Sequence, residues 1–188
     1  MKRYLLFSIS ALILIGSIFS ISSCSKVEDL AKISFNLSNN DAQFTIPVIS
    51  ATGTVDLGTA SIYINLDSMI KAQNSSLSVS NIKEVRITSC QLTLLDGDAN
   101  NNFSALESCS LQMASNTQPA FVTVGSVSGN PDIAADTLTL PLNSTIELKD
   151  YFLNANTFSY KLSGTARKTT NKELTCKAVL KYSLVVGL

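Results

Sequence analysis

Oxygen-bearing side chains recur at short intervals in one stretch of the chain, Asp96-Gly97-Asp98-Ala99-Asn100-Asn101-Asn102-Phe103-Ser104-Ala105-Leu106-Glu107. Counted from Asp96, acidic or amide oxygens stand at positions 1, 3 and 5, an apolar residue at 8 and a glutamate at 12. Calcium takes about six to eight hard oxygen ligands, and a short winding loop supplies them from alternate side chains plus a backbone carbonyl. The same composition builds an ordinary hydrophilic hairpin or crossover loop, because Asp, Gly and Asn favour turns for their own backbone reasons. Both readings stand on these residues.

Other chemistry has less to work with. There is no histidine, which removes Ser-His-Asp and Cys-His nucleophile systems and His-ligated zinc or iron. A hydrolase would need two carboxylates roughly 5–9 Å apart. Asp96, Asp98, Glu107, Asp132 and Asp136 are available, but acidic residues this close together in loops are normally solvated. A protein without catalytic activity is expected. A formal net charge of +0 with no basic run argues against nucleic acid as a partner.

The elements that must hold the loop read as strands. In Cys176, Ala178, Leu180, Tyr182, Leu184 and Val186 every second side chain is apolar or aromatic, so one strand face is buried. Phe158, Tyr160 and Leu162 follow the same rule, and Thr169-Thr170-Asn171-Lys172 is expected to join these two runs as a hairpin turn. Cys90, Leu92, Leu94 and Cys109, Leu111, Met113 alternate likewise on either side of the loop. Further strands are expected at 33–37, 44–49, 60–64, 121–127 and 137–140. Helix is scarce: Asp67 is expected to cap a short helix over 68–74, and 148–154 forms another. With 188 residues, 45% of them hydrophobic and 15% charged, the chain has material for one domain with a sizeable core. The fold expected is all-β, an antiparallel β-sandwich, Ig-like in broad architecture, with one or two short helices.

By residue type and spacing, the loop resembles the calcium loop of EF-hand proteins. Carried over by position, the resemblance implies side-chain oxygens from Asp96, Asp98 and Asn100. It further implies the carbonyl of Asn102, a water-mediated contact at Ser104 and a bidentate Glu107, with Ca2+ as the possible cofactor. Position 6 is Asn101 where the family has glycine, and the flanks read as strands instead of the paired helices of an EF-hand. The resemblance is confined to the loop.

Tyr4 to Ile21 is an almost uninterrupted apolar run behind Lys2 and Arg3, the layout of a secretory signal peptide. It is shorter than the roughly 20 apolar residues of a membrane-spanning helix. The run ends in Ile21-Ser22-Ser23-Cys24, which resembles the lipobox of bacterial lipoproteins: an aliphatic residue, two small residues and a cysteine. The resemblance implies removal of residues 1–23, lipid on the Cys24 thiol and a tether over 24–31, with residues 32–188 as the single domain. Several acyl chains on one residue anchor a protein stably where one chain is marginal. Ordinary cleavage after Ser22 is the alternative. Ser25-Lys26-Val27-Glu28-Asp29 resembles the charged export tag of Bacteroidota surface lipoproteins and reads equally as a solvated tether. Asp67-Ser68-Met69 and Asp136-Thr137-Leu138 resemble the O-glycan acceptor motif of exported Bacteroidota proteins, with Ser68 and Thr137 as acceptors.

Beyond Cys24 three cysteines remain: Cys90, Cys109 and Cys176. An exported domain keeps disulfides. Cys90 and Cys109 flank one connection, so a bridge between them would tie its base and add about 2–4 kcal/mol. Three buried free thiols, acting as small hydrophobes, are the other reading.

The mature region is similar in architecture and composition to small β-sandwich lipoproteins of Bacteroidota, a likeness that brings no activity with it. The expected function is that of an envelope lipoprotein at the outer membrane, periplasmic or surface-facing. It would be a non-catalytic protein-interaction or structural module, with the membrane and a second protein as partners. A calcium-stabilised adhesion or glycan-binding module is the alternative. Aromatic residues at 7% and the absence of tryptophan weigh against a sugar platform.

Overall fold

Alternating burial runs along almost every strand. In Leu174–Val186 each second residue is buried, and in Ala42–Ile46 Ala42, Phe44 and Ile46 are buried while Gln43 and Thr45 are exposed. The computed structural model describes residues 32–36 and 41–187; the signal sequence, Cys24 and the tether lie outside them. The described strands are β1 (Lys32–Asn36), β2 (Ala42–Ile46), β3 (Gly53–Tyr63), β4 (Ile82–Leu94), β5 (Leu106–Ser115), β6 (Val122–Ser128), β7 (Thr137–Thr139), β8 (Thr157–Ala166) and β9 (Leu174–Val186). They form two antiparallel sheets packed as a sandwich. The first runs β1-β9-β4-β7, with β2 also on β9, and the second runs β3-β8-β5-β6.

Each expected strand has an observed counterpart, but β2 ends at Ile46 where 44–49 was expected, and β3 begins at Gly53 where 60–64 was expected. The connection after β8 differs as well. Residues 169–172 were expected to turn a hairpin, but β8 and β9 lie in different sheets, so the chain crosses the sandwich there. The physical reason is that both strands turn aromatic faces into one core. Tyr160 on β8 and Tyr182 on β9 are fully buried, and their hydroxyls meet at 3.1 Å across the space between the sheets. The Tyr182 hydroxyl also lies 3.4 Å from the Met113 sulfur on β5. A buried hydroxyl needs a partner, and here the partners come from facing sheets.

The two sides of the sandwich are drawn together as well. The segment after β7 leaves the first sheet for the second: Leu140 N–H donates to the Cys90 carbonyl, whereas Ser126 N–H on β6 donates to the Pro141 carbonyl. On the other side β3 bulges between Asp56 and Gly58. Gly58 has φ +106° and lies so near the Thr45 carbonyl that a Cβ there would stand 2.9 Å from it. The bulge turns Leu57 into the core.

Helix α1 (Leu66–Gln73) starts two residues earlier than expected. Its cap is Asn65, whose side chain accepts from Ser68 N–H at 3.0 Å. Asp67 instead accepts from Val79 N–H at 3.1 Å and pairs with Lys71 at 2.6 Å. Helix α2 is the single turn Lys149–Phe152, shorter than the expected 148–154.

Candidate functional site

The 96–107 loop is held by polar contacts to distant segments, and these contacts decide what its oxygens can do. Asp98 accepts from the backbone N–H groups of Asn100 and Asn101, both at 2.9 Å, and from the Asn101 side-chain amide at 2.8 Å. Lys172 pairs with its other oxygen at 2.8 Å. The Lys172 ammonium first, then these amides, hold the Asp98 carboxyl well below the usual carboxylate range. Asp96 turns the other way and accepts from Thr175 N–H at 2.8 Å and the Thr175 hydroxyl at 3.2 Å. Asn102 caps the 3-10 turn Phe103–Ala105 by accepting from Ser104 N–H at 3.0 Å. Asn100 is exposed, and Glu107 points to solvent from β5.

The calcium ligand set is therefore not brought together. Asp96 serves β9, Asp98 serves Lys172 and its own loop, Asn102 serves a turn, and Glu107 stands on a strand. Among the described residues no group of three acidic or thiol side chains is placed to hold a metal. The backbone explains the departure from an EF-hand path. That loop needs a sharp turn at position 6, usually glycine, but the one non-glycine residue with positive φ among those described is Asn154. Asn101 is instead 2% exposed and aimed inward, its Oδ1 accepting from Asn171 N–H at 2.9 Å. The same melting temperature in excess calcium and in chelator is the expected result, because a ligand that binds only the folded state would raise it. A rise of several degrees in calcium would show that the loop opens to take the ion.

Sequence reasoning missed the residues that bind this end of the sandwich together. Asn130 is buried and donates to the carbonyls of Phe103 and Leu106 at 2.8 and 2.9 Å. Thr170 is buried and its hydroxyl accepts from Ile49 N–H at 2.9 Å. Arg167 reaches the Leu106 carbonyl at 3.2 Å and also the Asn130 carbonyl. Lys168 pairs with Asp132, holding that carboxyl low. Each sits in a Ser-, Thr- or Asn-rich turn, where a buried amide and a solvated one look alike in sequence.

The depressed Asp98 carboxyl carries a pH signature. Because its folded value lies below its ordinary 3.8, the stability it contributes is present above that value and is lost as pH falls below it. Urea midpoints are expected to fall between about pH 5 and about pH 2, and Asp98→Asn to flatten that fall while lowering the midpoint at neutral pH. An unchanged acid slope in the variant would remove Asp98 from the account.

The three cysteines are free thiols, so the Cys90–Cys109 bridge is not formed. Cys90 lies on a first-sheet strand and Cys109 on a second-sheet strand, and both face the core. Burial pushes all three thiols up to about 12, with neighbouring cysteines as a smaller cause at Cys90 and Cys109. Thiols so placed are poor nucleophiles. Ser68 on α1 and Thr137 on β7 are both exposed. Cys24 lies outside the described residues.

No family model matches this chain, and no curated protein matches it. Among solved structures it is similar to the infectious bursal disease virus Gx strain, with TM-score 0.35 and 11% identity over 82% of this chain and 32% of that one. It is similar to the VP2 subviral particle of infectious bursal disease virus, with TM-score 0.34 and 10% identity over 87% and 34%. A third likeness is to desmodium yellow mottle tymovirus, with TM-score 0.29 and 10% identity over 84% and 89%. The chain spans about a third of the length of the first two, and likenesses this weak transfer no activity to it.

Proposed function

We propose that this protein is a membrane-anchored envelope lipoprotein whose β-sandwich is a non-catalytic interaction module. The observation that carries the reading is Ile21-Ser22-Ser23-Cys24 at the end of a signal-like apolar run. Three features support the non-catalytic part. Histidine is absent. Asp98 and Asp132 are each paired with a lysine and held in the charged form, which disfavours a proton-sharing carboxylate pair. The thiols are buried and pushed up in pKa.

The test is protease digestion of intact against lysed cells. Digestion on intact cells assigns the module an external partner. Protection until lysis assigns it a periplasmic one and removes the export-tag reading of residues 25–29. A protein found in the cytoplasmic fraction would overturn the proposal.

A further inference from the structure

At the far end of β8 from the Asp98 loop, where β3 ends and β8 begins, a cleft of about 210 Å³ is lined by Tyr63, Asn65, Asp67, Asn154 and Asn156, together with apolar Leu66 and Ala155. Tyr63 is 63% exposed, more than any other exposed aromatic among the described residues, Phe121 being 44%. The side-chain hydrogen bonds here engage amide oxygens: the Asn65 side chain accepts from Ser68 N–H at 3.0 Å and the Asn156 side chain accepts from the Thr157 hydroxyl at 3.0 Å. Asn154, at φ +57°, and the exposed Tyr63 add an amide and a phenol hydroxyl to the lining.

Charge narrows the ligand. Asp67 is the one carboxylate of the lining, and it is already taken by Lys71 and Val79 N–H. Among the described residues the lining holds no cation for an anionic ligand. An apolar ligand would leave four polar groups covered and unpaired, each at a desolvation cost. A sugar ring meets both demands, with a face of C–H groups for an aromatic ring and a rim of hydroxyls for planar amides. The volume, below the roughly 300–1,000 Å³ that encloses a drug-sized ligand, suits one ring with the rest of the chain outside. Beyond Tyr63 the second sheet's outward face is hydroxyl-rich and close to neutral. Ser61 and Ser159 meet at 3.1 Å, and Asp56 is paired with Lys161 at 3.5 Å.

We propose that this cleft binds one neutral pyranose unit of an oligosaccharide. The Tyr63 ring lies on the sugar's C–H face, and the amides of Asn65, Asn154 and Asn156 bond to its hydroxyls. The inference rests on the reading of the domain as a non-catalytic binding module and supplies that module's ligand class.

The test uses the full lipoprotein in a detergent without a sugar headgroup, with chitotetraose, maltotetraose and xylotetraose followed separately by saturation-transfer NMR. At least one is expected to bind with Kd on the order of 1 mM or tighter. Tyr63→Ala weakens that binding about tenfold. Asn154→Gly also weakens it without lowering the melting temperature, since glycine accepts the φ of +57° that Asn154 holds. Phe121→Ala leaves it unchanged. Absence of binding by all three sugars, or binding insensitive to Tyr63→Ala, overturns the assignment while the membrane-anchor reading stands or falls by protease access. Recovery of shorter sugars after incubation would keep the ligand class and overturn the non-catalytic reading.

Discussion

Replacing Cys24 with serine is expected to reduce incorporation of a labelled fatty acid from full to background. The lipobox resemblance gives the chain one acceptor, the Cys24 thiol, so the effect is all or none. The energetic consequence is large: each buried CH2 contributes about 0.8 kcal/mol, and stable anchoring needs more than one chain. Among the described residues no helix is long and apolar enough to cross a membrane. The Cys24→Ser protein, freed of its leader, is expected in the soluble fraction, where the parent protein partitions into detergent. If the leader is instead cut after Ser22 by the ordinary route, the parent protein carries no label and the substitution changes nothing. That outcome would remove the membrane from the proposed function.

Local period was legible in the sequence because it is a property of one strand. Much of the inward faces of β5, β8 and β9 could be named, since a strand that rests on a core must alternate. On β4 only Cys90, Leu92 and Leu94 could, because the register shifts before Ser89 break the alternation that would have marked Ile82, Val85 and Ile87. Partnership was not legible, because it depends on which inward faces meet. Phe158, Tyr160 and Leu162 fit a hairpin with β9 as well as they fit the opposite sheet. The meeting of Tyr160 and Tyr182 hydroxyls selects the second. The same limit applies to the candidate loop. Its turn character follows from its residue types, but the partners its oxygens take come from far along the chain: Asp96 to Thr175, Asp98 to Lys172 and Asn101 to Asn171. The helix cap failed over a shorter distance. Asn65 and Asp67 are both good caps, and Val79 takes Asp67 away.

Phe158→Ala is expected to cost about 3–5 kcal/mol, a large share of the roughly 5–15 kcal/mol that holds a domain of this kind folded. Phe158 is 0% exposed on a central strand of the second sheet. Its ring centroid lies 4.8 Å from that of Phe152, which lies 5.1 Å from Tyr182 on the first sheet. Removing it opens a void beside the point where the two sheets are bridged, and rigid strands on both sides collapse poorly into such a void. The urea midpoint should drop accordingly with little change in slope. Tyr63→Ala, on the surface, should stay within about 0.5 kcal/mol. The bridge itself predicts a sign that packing alone does not. Tyr182→Phe strips the Tyr160 hydroxyl of its partner and should cost about 1–3 kcal/mol. Once both hydroxyls are gone no orphan remains, so the double variant Tyr160→Phe with Tyr182→Phe should cost less than the sum of the singles. Additive costs in that cycle would mean the two hydroxyls do not couple across the core, while the crossing of β8 and β9 rests on their pairings in different sheets.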